Sequence, residues 1–212
     1  NLSQGFPGFD CSEELQELLK FYSKGHNQYA PMAGVPVLRN SIADKTRAFY
    51  GIDPDANSEV TVVSGATEAL FAAIHCCVFP GDEVIMFDPS YDAYDPIVRL
   101  AGGVPVHIQL KASEGFRIDW AKLARKISPK TRAILVNTPH NPTGSVWAME
   151  DLDAFAEVVK GTNILIISDE VYEHIVFDGA QHASVLLHPE LRKRSFVCGS
   201  FGKTYHITGW KM

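Results

Sequence analysis

Lys203 lies in the run Ser200-Phe-Gly-Lys-Thr-Tyr-His-Ile-Thr-Gly-Trp-Lys211, among small and hydroxyl-bearing residues just after an apolar stretch. A lysine amine that gives up its proton can bond covalently to a carbonyl carbon. Alone, a lysine is more often a solvated charge. Asp169 closes the apolar run Ile164-Leu-Ile-Ile-Ser168. A carboxylate there meets a cation, a metal or a protonated nitrogen, or is simply a solvated strand end. Tyr172 follows closely and reaches the same ligand if the chain turns. Gly65-Ala-Thr-Glu68 passes from an expected strand into a helix, where free backbone N–H groups and the helix dipole suit a phosphate. A helix cap by Thr67 explains the same residues, and the lysine and spacing of a P-loop are absent. Tyr91 offers an aromatic face or fills a core. Asn141 precedes a proline in a turn-rich run, which turn chemistry explains equally well.

These residues need a frame that brings them together. Apolar strand candidates are 60–64, 83–87, 104–109, 133–137, 164–168 and 195–199, and most of the gaps hold a helical stripe. Ala69, Leu70, Ala73, Ile74 and Cys77 form one stripe. Trp120, Leu123, Ala124 and Ile127 form a second, and Leu152, Phe155, Ala156 and Val159 a third. Upstream, Leu15, Leu18, Leu19 and Tyr22 fit a helix stopped by Gly25, and Pro36 opens another carrying Leu38, Ile42 and Phe49. Residues 178–189 have weak periodicity and read as mostly loop. Short apolar strands alternating with helices predict an α/β fold, with a mostly parallel sheet covered by helices on both faces. In open sheets of this kind, ligands bind at the carboxyl ends of the strands. Gly65, Asp88, Asn137, Asp169 and Ser200 all stand at such tips, so one composite site is expected.

Composition narrows the function. The 212 residues carry 46% hydrophobic and 21% charged residues, ordinary for a globular chain able to bury a sizeable core. A net charge of -6 argues against nucleic acid as a main partner. Cys11, Cys76, Cys77 and Cys198 lack metal or redox spacing and read as reduced thiols, Cys76 and Cys77 as small core residues, in a cytoplasmic protein without disulfides. No signal peptide or membrane-spanning run is visible. No metal site is expected.

Taken together, the tips fit one cofactor, pyridoxal 5'-phosphate. Its phosphate needs N–H and hydroxyl donors, its ring a stacking partner, its pyridine nitrogen an anion, its phenolic oxygen donors and its aldehyde an amine. The chain at this point resembles the class I/II aminotransferases of the fold-type I pyridoxal-phosphate enzymes. Within them it looks most like the branch of methionine aminotransferases and kynurenine aminotransferase/cysteine-conjugate β-lyases. The resemblance rests on Asn1-Leu-Ser-Gln-Gly-Phe-Pro, Asn27-Gln-Tyr, Gly65-Ala-Thr-Glu-Ala-Leu, Phe87-Asp-Pro-Ser-Tyr-Asp-Ala-Tyr, Asn137-Thr-Pro-His-Asn-Pro-Thr-Gly, Ser168-Asp-Glu-Val-Tyr-Glu-His and the run that ends at Lys211.

The resemblance implies an enzyme that moves an amino group from an amino acid, methionine or an aromatic donor, to a 2-oxo acid by a ping-pong Schiff-base mechanism. It implies Lys203 as the covalent anchor and acid/base, and Asp169 as partner of the pyridinium nitrogen. Asn141 and Tyr172 would bond the phenolic oxygen, and Tyr91 would stack on the ring. Ala66, Thr67, Ser200 and Lys211 would hold the phosphate, with lysine at 211 keeping the charge but lacking arginine's bidentate fork. Tyr29 would reach the phosphate of a neighbouring subunit in a homodimer. Gly5 and Asn141 would line the substrate site. Residues 1–34 would form an N-terminal arm and part of a small domain, and 35–212 the cofactor-binding large domain, incomplete at its C-terminus. The chain opens on Asn1 and stops beside a motif, so it is expected to be a piece of a longer enzyme and inactive alone. Three other readings share some of these residues: β-elimination from cysteine conjugates on the same scaffold, a non-catalytic aminotransferase-like effector domain, and a nucleotide-binding α/β protein. The last lacks a phosphate fingerprint.

Overall fold

Strict alternation along the central strands sorts the core into two halves. In the computed structural model, which describes Gly5 and residues 7–212, Ile85, Phe87, Ile134, Val136 and Ile166 enter one apolar cluster. Their strand neighbours Val84, Met86, Ala133, Leu135 and Ile167 enter another. A strand whose two faces are both apolar must be covered on both sides, and the sheet sits between two helical layers.

Among the described residues five parallel strands form the sheet: β1 Glu83–Asp88, β2 Val104–Gln109, β3 Thr131–Asn137, β4 Leu165–Asp169 and β5 Ser195–Cys198. Their spatial order is β2-β1-β3-β4-β5, and every pairing is parallel. On one face lie α3 (Ala66–Cys77) and α4 (Tyr94–Leu100), which bury Leu70, Ile74, Ile97 and Val98. On the other lie α5 (Trp120–Lys126) and α6 (Met149–Val159), where Leu123, Leu152 and Phe155 meet Trp147. The expected α/β class, parallel sheet and two covered faces are all present.

The outer elements are α1 (Glu13–Tyr22), α2 (Pro36–Tyr50), α7 (Pro189–Arg192) and α8 (Phe201–Thr204). Ser12 caps α1, but that helix buries no residue, and Leu18, Leu19 and Tyr22 are exposed. Residues 178–189 are mostly irregular, as expected, with one short 3-10 turn at Val185–Leu187. The four cysteines are free. Cys77 is buried, whereas its neighbour Cys76 points out, so only one of the two serves the core.

One expected strand is absent. Residues 60–64 run without a ladder. Val62 donates its N–H to the Ala33 carbonyl at 3.0 Å, and among the described residues no strand pairs with the segment. Apolar, β-branched residues favour extended backbone, but a strand needs a neighbour to share its hydrogen bonds. Val62 is instead packed on Gly34, where an added Cβ would fall 2.7 Å from Val62 Cβ. Among the described residues no helix is long and apolar enough to cross a membrane.

Candidate functional site

The sheet order places the reversal between β1 and β3: the chain leaves β1 toward β2 on one side and returns to β3 on the other. The crevice beyond the carboxyl ends at such a switch point is where open α/β sheets bind ligands. Asp88, Asn137, Asp169 and Cys198 end their strands there, with Asn137 level with Asp169 and Asp169 level with Cys198.

Asp169 is the most enclosed of the expected site residues, 4% exposed. Its Oδ2 accepts from the Tyr94 hydroxyl at 2.7 Å, and its Oδ1 accepts from the Val171 N–H at 3.2 Å. The Asn137 side-chain amide and the Thr138 N–H both donate to the Asp169 carbonyl, at 2.8 and 3.1 Å. Burial pushes this carboxyl above its ordinary value, against the Tyr94 and Val171 hydrogen bonds and the charge of Lys203. Among the described residues no cation forms an ion pair with it. A desolvated carboxylate aimed from a strand tip suits a cationic group arriving from outside.

Lys203 stands on α8, the short helix that Ser200 starts by accepting the Gly202 N–H at 3.0 Å. Its Nζ lies 5.6 Å from the centre of the Tyr172 ring. Lys203 is exposed. Tyr172 is half-buried, and burial together with the nearby Asp169 raises its phenol. Tyr91 is half-buried with its ring edge-on to Tyr94, centroids 5.6 Å apart. The Asn141 N–H donates to Asn137 Oδ1 at 2.7 Å, which ties the Asn141 turn to the tip of β3.

The anion-binding end is built from backbone. Gly65 starts α3 at φ 81 and ψ 163, and no side chain caps the helix. Thr67 is exposed and does not cap, so its N–H and that of Ala66 keep the free donors of a helix start. Lys211 crosses this end: a Cβ on Gly65 would stand 3.9 Å from Lys211 Cδ. The Ser200 hydroxyl donates to the Met212 carbonyl at 3.2 Å. Lys211 thus lies beside the helix start that carries Ala66 and Thr67, and Ser200 is tied to its neighbour Met212.

Two expected residues do not join them. Gly5 is exposed, with no heavy atom within 4 Å of where its Cβ would be, and Tyr29 is 100% exposed. Most of the Asn1-to-Pro7 stretch lies outside the described residues. One other was missed in the sequence. Tyr94 fixes the Asp169 carboxylate, and its signal was position: it ends a quoted tip motif and begins α4.

The residues present fit pyridoxal phosphate. An uncapped helix start beside Lys211 suits the phosphate, a buried carboxylate suits a protonated ring nitrogen, and the Lys203 amine lies near the Tyr172 ring and acts on the Asp169 carboxyl. Comparison with known proteins agrees. The family model "Aminotransferase class I and II" matches residues 1–212. The chain is similar to a methionine aminotransferase of Escherichia coli, 54% identical over all of this chain and 55% of that protein. It is also similar to kynurenine–oxoglutarate transaminase 3 of Mus musculus, 40% identical over all of this chain and 49% of that protein. The crystal structure of an Escherichia coli methionine aminotransferase superposes with a TM-score of 0.96 at 54% identity, covering 100% of this chain and 56% of that one. That of an aromatic aminotransferase from Pyrococcus horikoshii superposes at 0.95 with 36% identity, covering 99% and 56%. The chain spans about half the length of the curated relatives it matches.

Proposed function

Since the chain belongs to the class I and II aminotransferases, we propose that the protein is a pyridoxal-phosphate-dependent aminotransferase that moves an amino group from an amino acid to a 2-oxo acid. The observation that carries this reading is the buried Asp169 carboxylate, facing the same crevice as Lys203 and the uncapped start of α3. Methionine is the first donor to test, because the methionine aminotransferase of Escherichia coli shares 54% of this sequence. Kynurenine and aromatic amino acids follow, from the relatives that carry those names.

When bound, the cofactor supplies an electron sink for the carbanion formed at the substrate's α-carbon. The chain's own residues divide the remaining work. Lys203 would hold the cofactor covalently through its amine, and the same amine, when free, would take the proton from the substrate's α-carbon and later give it back as an acid. Asp169 would hold the ring nitrogen protonated. Asn141 and Tyr172 would donate to the phenolic oxygen, and Tyr91 would pack against the ring. The N–H groups of Ala66 and Thr67, the Ser200 hydroxyl and the Lys211 ammonium would hold the phosphate. Gly5 lines the substrate pocket, and Tyr29 completes the phosphate site of a second subunit. Residues 35–212 form the large, cofactor-binding domain, and 1–34 an arm toward the smaller one. The enzyme works in the cytoplasm as a homodimer.

The test is reconstitution of the full-length protein with pyridoxal phosphate, followed by a donor and acceptor screen. A visible absorption band should appear that Lys203→Ala abolishes together with turnover, and Asp169→Ala should keep bound cofactor while losing most of the rate. A band and turnover that survive Lys203→Ala would overturn the assignment. Product analysis with methionine and a cysteine conjugate separates amino transfer from β-elimination.

A further inference from the structure

We propose that Tyr94 is a positioning residue that orients the Asp169 carboxylate and the Tyr91 ring together, as one rigid unit, against the cofactor's ring. The inference rests on the cofactor reading above and adds a residue to it. Tyr94 is 2% exposed at the first turn of α4. Its hydroxyl is 2.7 Å from Asp169 Oδ2, and its ring meets Tyr91 edge-on at an interplanar angle of 75°. One side chain thus touches both the carboxylate expected at the ring nitrogen and the aromatic expected on the ring face.

A buried tyrosine whose hydroxyl merely finds an acceptor would satisfy the same hydrogen bond. The acceptor argues for more. Asp169 is desolvated, and among the described residues its two side-chain oxygens have one donor each, Tyr94 on α4 and the Val171 N–H beyond β4. The other titratable groups bearing on it are Glu170, Cys198, Tyr172 and Lys203. Of these, only Lys203 favours the charged form, and it is not in an ion pair with Asp169. Tyr94 is therefore the side chain that both fixes the rotation of the carboxylate and favours its ionised state. A hydrogen bond to a charged, buried acceptor is worth roughly a factor of ten or more in an equilibrium.

Tyr94→Phe separates the two contacts, since it removes the hydroxyl and leaves the ring against Tyr91. In the full-length apoprotein, the carboxyl of Asp169 is followed by 13C NMR against pH, with Asp169→Asn assigning the signal. Its titration midpoint should rise by about one pH unit in Tyr94→Phe. In the cofactor-loaded protein, the variant should bind pyridoxal phosphate about tenfold more weakly, and the acid limb of its kcat profile should move up with the carboxyl. Unchanged titration and an unchanged pH profile, with only a loss of thermal stability, would make Tyr94 a core tyrosine and overturn the proposal. Should Tyr94→Phe fail to fold, 3-fluorotyrosine at position 94 is read by 19F NMR: its resonance should move with the Asp169 midpoint, and a flat response overturns the proposal. The apoprotein measurements need no cofactor. If the wild type takes up no pyridoxal phosphate, the functional reading fails while the Tyr94–Asp169 coupling is still decided.

Discussion

Tyr50 and Glu173, 123 residues apart in the chain, are joined by a hydrogen bond: the Tyr50 phenol donates to Glu173 Oε2 at 2.5 Å. The ammonium of Lys45 meets the same oxygen. Both donors lie on α2, and Glu173 follows Tyr172 directly. The helix therefore grips the turn that presents Tyr172 beside Lys203. The Glu173 N–H donates to the Glu170 carbonyl, and Glu170 is held in turn by Ser168, His182 and the Val185 N–H.

This grip predicts a pH-dependent contribution to stability. Burial raises the Glu173 carboxyl, but Lys45 and Tyr50 overcome it and hold the group below its ordinary value of 4.5. A depressed folded-state value means stability that is complete above the ordinary value and is lost as pH falls through the folded one. In the full-length protein, Lys45→Met should cost about 1–2 kcal/mol at pH 7, judged as the loss of one charge-assisted hydrogen bond. The gap between wild type and variant, from urea melts, should close below about pH 4. A gap that stays constant down to pH 3 would show that Lys45 acts by packing on Phe49 and Tyr50, whose rings it also covers.

His107 gives the opposite sign. On β2, it places Nε2 2.9 Å from Asp95 of α4 and Nδ1 2.9 Å from Asp88 at the tip of β1. Burial lowers its value, yet the hydrogen bond to Asp95 and the Asp88 carboxylate beside Nδ1 prevail and hold it above the ordinary 6.5. A raised value means stability that is full below pH 6.5 and is lost as pH rises through the folded value. His107→Gln should therefore cost about 0.5–1 kcal/mol at pH 5.5 and nearly nothing at pH 9. Equal costs at the two pH values would refute the ion-pair account.

How much of this was legible follows from which forces write themselves into local sequence. β3 and β4 are apolar on both faces, because helices cover both, so Ala133-Ile-Leu-Val and Leu165-Ile-Ile announced central strands. Asp169 was visible because a carboxylate ending such a run conflicts with its surroundings. Residues 60–64 misled, since Val60-Thr-Val-Val records a preference for extended backbone and says nothing about a neighbour. Lys203 carries no local sign of its surroundings, because what covers an amine on α8 depends on what packs over that helix, and in this chain it is exposed. Tyr94 escaped because α4 is seven residues long and carries Pro96 in its first turn, too short for a periodic stripe. The Tyr50–Glu173 bond had no local signal, since neither residue's neighbours change to accommodate it.

Gly65 is the position where backbone geometry decides most. Its φ of 81 and ψ of 163 fall in a region that only glycine enters without strain. Gly65→Ala should lower stability by about 1–3 kcal/mol and, by turning the Ala66 and Thr67 N–H groups, weaken pyridoxal phosphate binding by at least tenfold. A variant that folds less stably but binds the cofactor as tightly as wild type would separate the turn from the phosphate site.

Lys211 should be coupled to that glycine. Its backbone at φ 60 is left-handed, and its stem runs in contact distance of residue 65, with Cδ 3.9 Å from where a Cβ there would stand. The stem thus passes the helix start, whose free N–H groups already attract negative charge. Lys211→Met should reduce pyridoxal phosphate affinity about tenfold at low salt, with a smaller loss at high salt because the lost attraction is partly screened. Lys211→Arg should keep most of the affinity, since it preserves the charge and adds a second donor toward the phosphate. In the double variant with Gly65→Ala, the losses should be less than additive, because Gly65→Ala already turns the Ala66 and Thr67 N–H groups that share the phosphate with the ammonium. Strictly additive losses, measured by cofactor titration of the full-length protein, would show two independent contacts and remove the geometric link between them.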